Sequence, residues 1–289
     1  MSIDGSFRLN GVEARDFTPI WVKSFDPGVE AVETTDLDNP VFDDTYAGVD
    51  FFRAPTYTFE IVVEGSTPAE VRDRVNQVKK AWRPSASKVG GELCEMEVRL
   101  AGGRYVVYGR PRRFACNHAR TGLEGYAIID ADFKLMDPLA YRAAWNNRRL
   151  DMVPPTMRGL TEPLTEPLST GGYSHRQGVI EEVGGTAPTP FMIDVTAGPG
   201  GPIVDPWVSI NGNKYEFDLT VRENRTLRID SRRGIALNGG TNALSTMKRR
   251  TRLKSVRLPN GQVEISFGGV NPALDAHATF WWRPADYTI

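Results

Sequence analysis

The feature that most constrains the fold of this chain is a series of short apolar segments in its C-terminal third, separated by turn-forming residues. Asn211-Gly212 and Asn260-Gly261 are dipeptides that favour two-residue hairpin turns. The segments around these turns, including residues 227–230 and 278–282, have the length of single strands. Many short strands at this spacing predict an antiparallel β-sandwich, in which two sheets pack face to face.

The length of 289 residues is sufficient for two domains, each with a core of its own. Hydrophobic residues make up 40% of the chain and charged residues 25%, which is typical of a globular protein and argues against disorder. No apolar stretch approaches the roughly 20 residues that a membrane helix needs. The first five residues lack the basic and apolar regions of a secretory signal, so we expect folding in a cytoplasm.

The first half is predicted to contain one helix among strands. Thr67-Pro68-Ala69-Glu70 combines an N-cap threonine, a first-turn proline and a capping-box glutamate. Four apolar residues then follow at helical spacing, and Arg83-Pro84 ends the pattern because the residue before a proline disfavours the α conformation. We therefore expect a helix that packs on a sheet, with the last apolar residue as its anchor. The apolar stripe is Val71, Val75, Val78 and Trp82.

Alternating apolar and polar residues predict the strands of this half. Residues 57–63 and 126–135 alternate with the period of a half-buried strand, and Gly102-Gly103 separates a further predicted hairpin pair. The strand at 126–135 is expected to stop before Asp137-Pro138, because a proline cannot donate to the ladder. The predicted fold class is mainly β, with an N-terminal sandwich-like or barrel-like domain that carries one α-helix.

The domain boundaries follow from a change in composition after residue 142. Residues 143–184 contain Pro154-Pro155 and a tandem Thr-Glu-Pro-Leu repeat at 161–168, which favour an extended, semi-rigid backbone. We interpret them as a connector, free or laid against a neighbouring subunit. The predicted domains are therefore residues 1–142, the connector 143–184 and the sandwich 185–289.

No motif of a reaction centre appears in the sequence. Phosphate-binding glycine loops, the GxSxG elbow and the HExxH motif are missing, and His118, His175 and His277 stand apart from any paired nucleophile. Cys94 and Cys116 are too few for a zinc site and predict no disulfide in a reducing cytoplasm. The acidic run 36–44 departs from a calcium-binding EF-hand loop. We expect no enzyme activity, no cofactor and no bound metal.

Charge is distributed unevenly, although the net charge is only −1. Acidic residues dominate the first 80 residues, and basic residues dominate residues 222–257. The basic segment fits three interpretations: a nucleic-acid patch, solvated strand faces, or contacts between neighbouring copies. Because aromatic residues do not alternate with the basic ones, we expect no specific nucleic-acid partner. The third interpretation makes Arg249 and Arg250 candidate interface residues.

Two aromatic pairs are further candidates. Phe51-Phe52 lies in an acidic segment and is either an interface anchor or an ordinary core pair. Trp281-Trp282 resembles the aromatic platform of a sugar-binding protein, but successive side chains of a strand point to opposite faces. One indole is therefore expected in the core and the other outside, with Trp282 as the candidate interface residue. Trp207 or Trp21 would have to complete a sugar platform.

The order of these parts resembles the distal tail proteins of long, flexible-tailed bacteriophages, particularly the minor tail proteins of actinobacteriophages. The capped helix, the hairpins and the closing residues 133–141, with Asp137-Pro138 and Tyr141, look like the N-terminal domain of that family. Residues 185–190, residues 227–230, Asn238-Gly239 and the terminal aromatic strand look like its galectin-like C-terminal sandwich.

The resemblance implies a structural role in the virion, at the tail tip or baseplate. Family members form a ring, usually a homo-hexamer, between the tail-tube protein above and the tail-tip hub below, and the tape-measure protein is a further candidate partner. Assembly would occur in the cytoplasm of the host bacterium, without a membrane partner. The alternative function is a lectin-like module that binds carbohydrate on the host surface.

Overall fold

The computed structural model describes residues 4–39, 42–117, 125–152, 177–248 and 252–287. The chain forms two compact units, Met1–Ala143 with Asp286–Ile289, and Ala144–Ala285. Among the described residues, strands predominate, three short 3₁₀ turns occur (Ser85–Lys88, Leu244–Thr246 and Leu253–Ser255) and the single α-helix lies in the first unit, so the predicted mainly β class is confirmed. No helix in these ranges is long and apolar enough to cross a membrane.

The first unit contains twelve strands and the helix before the chain enters the second unit. In chain order they are β1 (Phe7–Leu9), β2 (Val12–Ala14), β3 (Ile20–Asp26), β4 (Ala31–Glu33), β5 (Leu37–Asp38), β6 (Thr45–Tyr46), β7 (Phe51–Arg53), β8 (Thr56–Glu64), α1 (Pro68–Ala81), β9 (Cys94–Leu100), β10 (Gly103–Asn117), β11 (Tyr126–Leu135) and β12 (Leu139–Arg142).

The main sheet of the first unit has the antiparallel order β2-β1-β9-β10-β11-β8-β3, and β12 pairs with β10. Its two end strands, β2 and β3, are consecutive in the chain and are joined by a tight turn. The backbone N–H of Arg15 donates to the carbonyl of Ile20 across this turn at 3.1 Å. The sheet therefore curls until its ends meet, in agreement with the predicted barrel-like domain.

Helix α1 fills the inside of this curled sheet. Thr67 is its N-cap and accepts a hydrogen bond from the Glu70 N–H at 3.2 Å. The Glu70 carboxylate accepts from the Ser66 N–H at 2.9 Å, one residue earlier than in a standard capping box. All four residues of the predicted stripe are buried, and the Trp82 indole N–H donates to the Asp132 carbonyl at 3.1 Å. The predicted helix and its anchor are confirmed.

Strand β11 also follows its predicted pattern. Its alternate residues Ala127, Ile129, Ala131, Phe133 and Leu135 are all buried in the core of the first unit. The chain then leaves the sheet at Asp137, whose carboxylate accepts hydrogen bonds from the Leu139 N–H at 3.2 Å and the Tyr141 hydroxyl at 2.8 Å. This carboxylate fixes the turn into β12.

The second unit is a two-sheet sandwich. One sheet has the order β13-β23-β15-β19-β20-β21, the other the order β14-β22-β16-β17 with β18 paired to β16, and the inner faces of both contribute to one core. Its strands are β13 (Asn146–Asp151), β14 (Gln177–Ile180), β15 (Phe191–Thr196), β16 (Ile203–Ile210), β17 (Asn213–Glu216), β18 (Thr220–Val221), β19 (Thr226–Asp230), β20 (Ile235–Asn238), β21 (Thr241–Asn242), β22 (Val263–Val270) and β23 (His277–Trp282); β24 (Ala285–Tyr287) follows and pairs with β12.

The two predicted hairpins of this half differ in outcome. Asn211 and Gly212 both have positive φ (47° and 77°) and join β16 to β17, as expected for a two-residue turn. The segment before Asn260 was expected to be a strand, but only Leu258 pairs, in an isolated bridge to Thr189. A 3₁₀ turn over Leu253–Ser255 takes the place of that strand.

The predicted connector, residues 143–184, is described only at its two ends, and both ends contain strands of the sandwich. β13 pairs with β23, and β14 pairs with β22. Only Leu150 of β13 is buried, so this edge strand lacks the alternating apolar pattern that would have predicted it. The proline-rich repeat at 161–168 lies outside the described residues. At the other end, residues 286–289 belong to the first unit.

The two adjacent tryptophans of β23 point to opposite faces, as alternation predicted. Trp282 is 4% exposed, and its indole N–H donates to the Val183 carbonyl at 3.0 Å inside the core. Its selection as an interface residue is therefore corrected, because this side chain does not reach the surface of the unit. Trp281 is only partly buried, and it is the indole on the outer face.

We predict that Trp282→Phe destabilises the protein and that Trp281→Phe does not. Replacement of Trp282 leaves a cavity and an unpaired Val183 carbonyl, which together cost about 2–4 kcal/mol. Trp281 serves as the matched control on the same strand, since its indole N–H has no hydrogen-bond partner to lose. Calorimetric unfolding of the full chain measures both variants, and equal effects would contradict the assignment of faces.

We also predict that Tyr57→Phe stabilises the first unit. Tyr57 is fully buried, its hydroxyl has no hydrogen-bond partner among the described residues, and burial raises its pKa well above the usual range. Removal of an unpaired buried hydroxyl should increase the free energy of unfolding by about 1 kcal/mol.

The control for this prediction is Tyr141→Phe, which removes a buried hydroxyl that donates to Asp137. This variant should lose about 1–2 kcal/mol of unfolding free energy, because it removes the hydrogen bond from the Tyr141 hydroxyl to the Asp137 carboxylate. Urea unfolding of the full chain compares the two, and a destabilised Tyr57→Phe variant would show that its hydroxyl has a partner.

Candidate functional site

The described residues bring no set of catalytic or metal-binding side chains together. No group of three or more His, Cys, Asp or Glu side chains in these ranges could hold a metal ion. Neither Cys94 nor Cys116 forms a disulfide in the described part of the chain, and burial raises the pKa of both thiols, which disfavours the reactive thiolate. Burial and the nearby Arg149 lower the pKa of His277. His118 and His175 lie outside the described residues.

The most distinctive surface is a projecting hairpin, residues 29–53, which we call the arm. Its strands pair only with one another, β4 with β7 and β5 with β6, in two small sheets separate from the main one. No described residue of the arm is buried. The arm therefore takes no part in the core of the first unit.

The arm exposes a large amount of apolar surface. Phe51 and Phe52 are 55% and 59% exposed, so the alternative that they form a core pair is wrong. They point to opposite faces of β7, with Phe52 opposite Val32 and Phe51 opposite Glu33. Eight large apolar side chains of the arm have at least half of their surface exposed. They are Val29, Val32, Leu37, Phe42, Tyr46, Val49, Phe51 and Phe52.

The arm is also strongly acidic. Its sequence contains seven carboxylates and one basic residue, Arg53, which pairs with Glu33. Among the described contacts, the other carboxylates accept only from uncharged donors, as Asp36 does from the Gly48 N–H at 2.7 Å and Asp44 from the Asn39 amide at 2.7 Å. The arm thus combines apolar side chains with negative charge that the chain itself does not neutralise.

A second surface is a recess of 580 Å³ on the outer face of the β2-β1-β9-β10 edge, which we call the arginine recess. The turn between β2 and β3 forms one of its walls. Its charged lining consists of four arginines, Arg8, Arg15, Arg99 and Arg104, and three carboxylates, Glu13, Asp16 and Glu97, and Phe17 also lines it.

Two arginines of the recess have no partner for their side chains. Arg104 donates to Glu97 at 2.6 Å, whereas no hydrogen bond or ion pair involves the side chain of Arg8 or Arg99 among the described residues. The Arg99 Nε is buried and unpaired, and Arg99 lies directly opposite Arg104 in the antiparallel register. Like charges at opposed positions repel, and an unpaired buried donor is costly. Glu13 pairs with Arg15 at 3.6 Å and Glu97 pairs with Arg104, so among the described residues these two carboxylates of the recess leave Arg8 and Arg99 without an ion pair.

Phe17 stands at the rim of the recess in an unfavourable state. It is fully exposed and has a φ of 61°, a region that bulky side chains rarely adopt. The turn around it is fixed by the Thr18 hydroxyl, which lies 2.8 Å from the Arg15 carbonyl and 2.6 Å from that of Ile20. A strained and exposed aromatic residue contributes nothing to the core and points instead to a contact with another molecule.

The sequence did not identify Arg8, Arg99 or Phe17 as candidates. The two arginines are single basic residues on outward positions of ordinary strands, and Phe17 carries no turn signal of its own. Of the residues it did identify, Phe51 and Phe52 lie together on the arm, Trp282 lies in a core, and Arg249 and Arg250 lie outside the described residues.

Trp281 and Trp207 do not together form the sugar platform that the lectin alternative requires. Trp281 is on the outer face of one sheet of the sandwich, whereas Trp207 is on the outer face of the other. The Trp207 indole covers Gly268, and the Lys214 ammonium lies 4.5 Å from its ring centroid. The two outer faces of a sandwich point in opposite directions, so these indoles cannot stack on one sugar.

At the level of sequence, neither a protein-family model nor a curated protein matches this chain. At the level of structure, the Dit protein of phage SPP1, described as a paradigm of the hub adsorption apparatus of phages that infect Gram-positive bacteria, is similar with a TM-score of 0.62 and 10% identity. That similarity covers 97% of this chain and 98% of SPP1 Dit.

Two structures of the phage p2 baseplate in its activated conformation, with Ca and with Sr, contain chains that are similar with TM-scores of 0.57. Their identities are 11% and 12%, and the similarity covers 98% of each chain in both cases. Over almost its whole length, this chain has the fold of phage Dit and baseplate proteins.

Proposed function

We propose that this chain is a structural protein of a bacteriophage tail tip, a distal tail protein whose copies form a ring between the tail tube and the tail-tip hub. The single observation that carries this proposal is the uncovered arm. The shared fold with proteins described as hub and baseplate components supports the same role.

The arm needs a covering partner for physical reasons. A two-stranded hairpin is marginally stable in water unless another surface packs against it. An exposed apolar hairpin is also a site of aggregation unless it is used in an interface. Because no described residue of the arm is buried, a contact with another molecule would supply the missing burial.

A ring is the assembly expected if the arm of one copy binds a different surface on the next copy. When one surface of a subunit binds a different surface of the next copy, the contact is head to tail, and it closes into a ring if the rotation between copies permits. Under this proposal the N-terminal domain, residues 1–142, forms the ring. The sandwich, residues 185–289, is then an attachment point outside it.

The proposed partners are other copies of this chain in a hexamer, the tail-tube protein on one side and the hub on the other. The tape-measure protein is a further candidate partner, since it would run through the lumen of the ring. The proposed location is the virion tail tip, after folding in the host cytoplasm. No observation in the described residues favours the lectin alternative over this role.

We predict that the purified full-length protein forms rings with a central channel and that a charge on the apolar arm abolishes them. Phe52→Asp should shift the protein to monomers, because it places a carboxylate in the interface core. The matched control is Val270→Asp, an exposed apolar residue of β22 that is 64% exposed, and this variant should still form rings. Electron microscopy and mass photometry measure both.

A wild-type protein that stays monomeric at every concentration, and is absent from purified particles of its phage, would overturn the proposal. If the Phe52→Asp variant still forms rings, the arm is not part of the ring interface and no longer supports the proposed function.

A further inference from the structure

We propose that the arginine recess is the acceptor for the acidic arm of a second copy of this chain. The inference rests on the proposed ring and goes beyond it, since it names the surface that the arm contacts. Four observations carry it: complementary charge, an unpaired buried donor, a strained aromatic residue at the rim, and a matching group of side chains on the arm.

Charge is the first observation. The arm has a net charge of −6, and within the described part of the chain its carboxylates have no basic partner other than Arg53. In the recess, four arginines face three carboxylates; Glu97 pairs with Arg104 and Glu13 with Arg15, and the side chains of Arg8 and Arg99 have no ion pair among the described residues. Carboxylates of the arm would give both guanidinium groups charge-assisted hydrogen bonds, which are the stronger class. The two surfaces therefore supply what each other lacks.

The buried Arg99 Nε separates the recess from other basic surfaces of the first unit. Lys79, Lys80 and Arg83 also form a positive patch around the end of α1, but all three are exposed. Solvated surface charges gain little from an ion pair. Arg99, in contrast, has a buried Nε without a partner among the described residues, which is unfavourable in free energy. A hydrogen bond from this group to an acceptor in the recess is therefore more stabilising than one from an exposed lysine.

The aromatic residues give the contact a steric component. Residues 42–44 of the arm are Phe42, Asp43 and Asp44, an exposed phenylalanine followed by two exposed carboxylates. The recess offers the corresponding set, since Phe17, Arg8 and Arg99 all line it. Phe42 against Phe17 would bury two exposed rings while the carboxylates reach the guanidinium groups.

The reach of the arm is compatible with a neighbouring copy. About twelve residues on each side of the hairpin, at about 3.3 Å per residue, extend it by up to about 40 Å. In the described chain the arm pairs only with itself, so its tip remains available to a neighbour.

A charge exchange tests this acceptor. Asp43→Arg with Asp44→Arg reverses the tip, and Arg8→Glu reverses an exposed wall of the recess. We expect each change alone to raise the protein concentration at which half of the chains assemble by about tenfold or more. The protein that carries both changes should assemble at a concentration close to that of the wild type. The matched control is Lys80→Glu, an exposed basic residue outside the recess, which should assemble as the wild type does and should not rescue the reversed arm.

Cysteine cross-linking gives an independent test in a Cys116→Ser background. Asp44→Cys combined with Arg8→Cys should yield a ladder of disulfide-linked chains on a non-reducing gel, because a disulfide forms only when the Cα atoms come within about 7 Å. Asp44→Cys combined with Lys80→Cys should yield none.

The outcomes separate this inference from the proposed ring. If rings form but the Asp44–Arg8 cysteine pair does not cross-link, or if the Asp44–Lys80 pair does, the recess is not the surface that binds the arm. The proposal that the chain forms a ring would be unaffected. A wild-type protein that forms no ring would overturn the proposed function itself. A recess that is cross-linked only to another tail protein in phage particles would also overturn the inference.

Discussion

The first unit depends on the contact between helix α1 and the inner face of its sheet. The valines of the helix and Trp82 occupy the space inside the sheet, and Trp82 packs edge-to-face against Phe7 and Phe59 from two different strands. Because the helix fills this space, the sheet can curl until β2 and β3 meet. The turn between them then stands over the outer face of the sheet, where it forms a wall of the arginine recess. The recess is thus a consequence of how the core is packed.

The arm follows a different principle. Its strands belong to the chain but not to the core, and its side chains combine apolar surface with uncompensated negative charge. Such a segment is unfavourable in an isolated monomer and favourable in an assembly, where both the apolar area and the carboxylates find partners. The proposed ring and the proposed acceptor both derive from this imbalance. The described residues of the sandwich include fewer large apolar side chains that are at least half exposed.

Sequence reasoning succeeded where local signals and burial agree. The capped helix, the alternating strand β11 and the Asn211-Gly212 turn all combine a strong local preference with an apolar pattern, and all three are present in the structure. It failed for β13, an edge strand with one buried residue, and for the expected strand before Asn260. In both segments, pairing with distant strands determines whether a strand forms, and a single sequence does not show that pairing.

The candidate surfaces were predictable only in part. Phe51 and Phe52 drew attention as aromatic residues in an acidic segment, yet the pattern alone could not distinguish a core pair from an exposed one. Trp282 was selected from a pair of adjacent tryptophans without knowledge of which indole faces inward. Arg8 and Arg99 stand out only in the structure, where their side chains have no ion pair among the described residues. Phe17 stands out only through its backbone conformation and its exposure.

The central claim is that assembly covers the arm, and amide hydrogen exchange of the full-length protein measures this most directly. At concentrations where the chain is monomeric, peptides from residues 29–53 should exchange rapidly, as expected for an isolated hairpin. In purified rings the same peptides should become strongly protected, while exchange in β11 stays unchanged. An arm that exchanges equally fast in monomers and in rings would contradict the account.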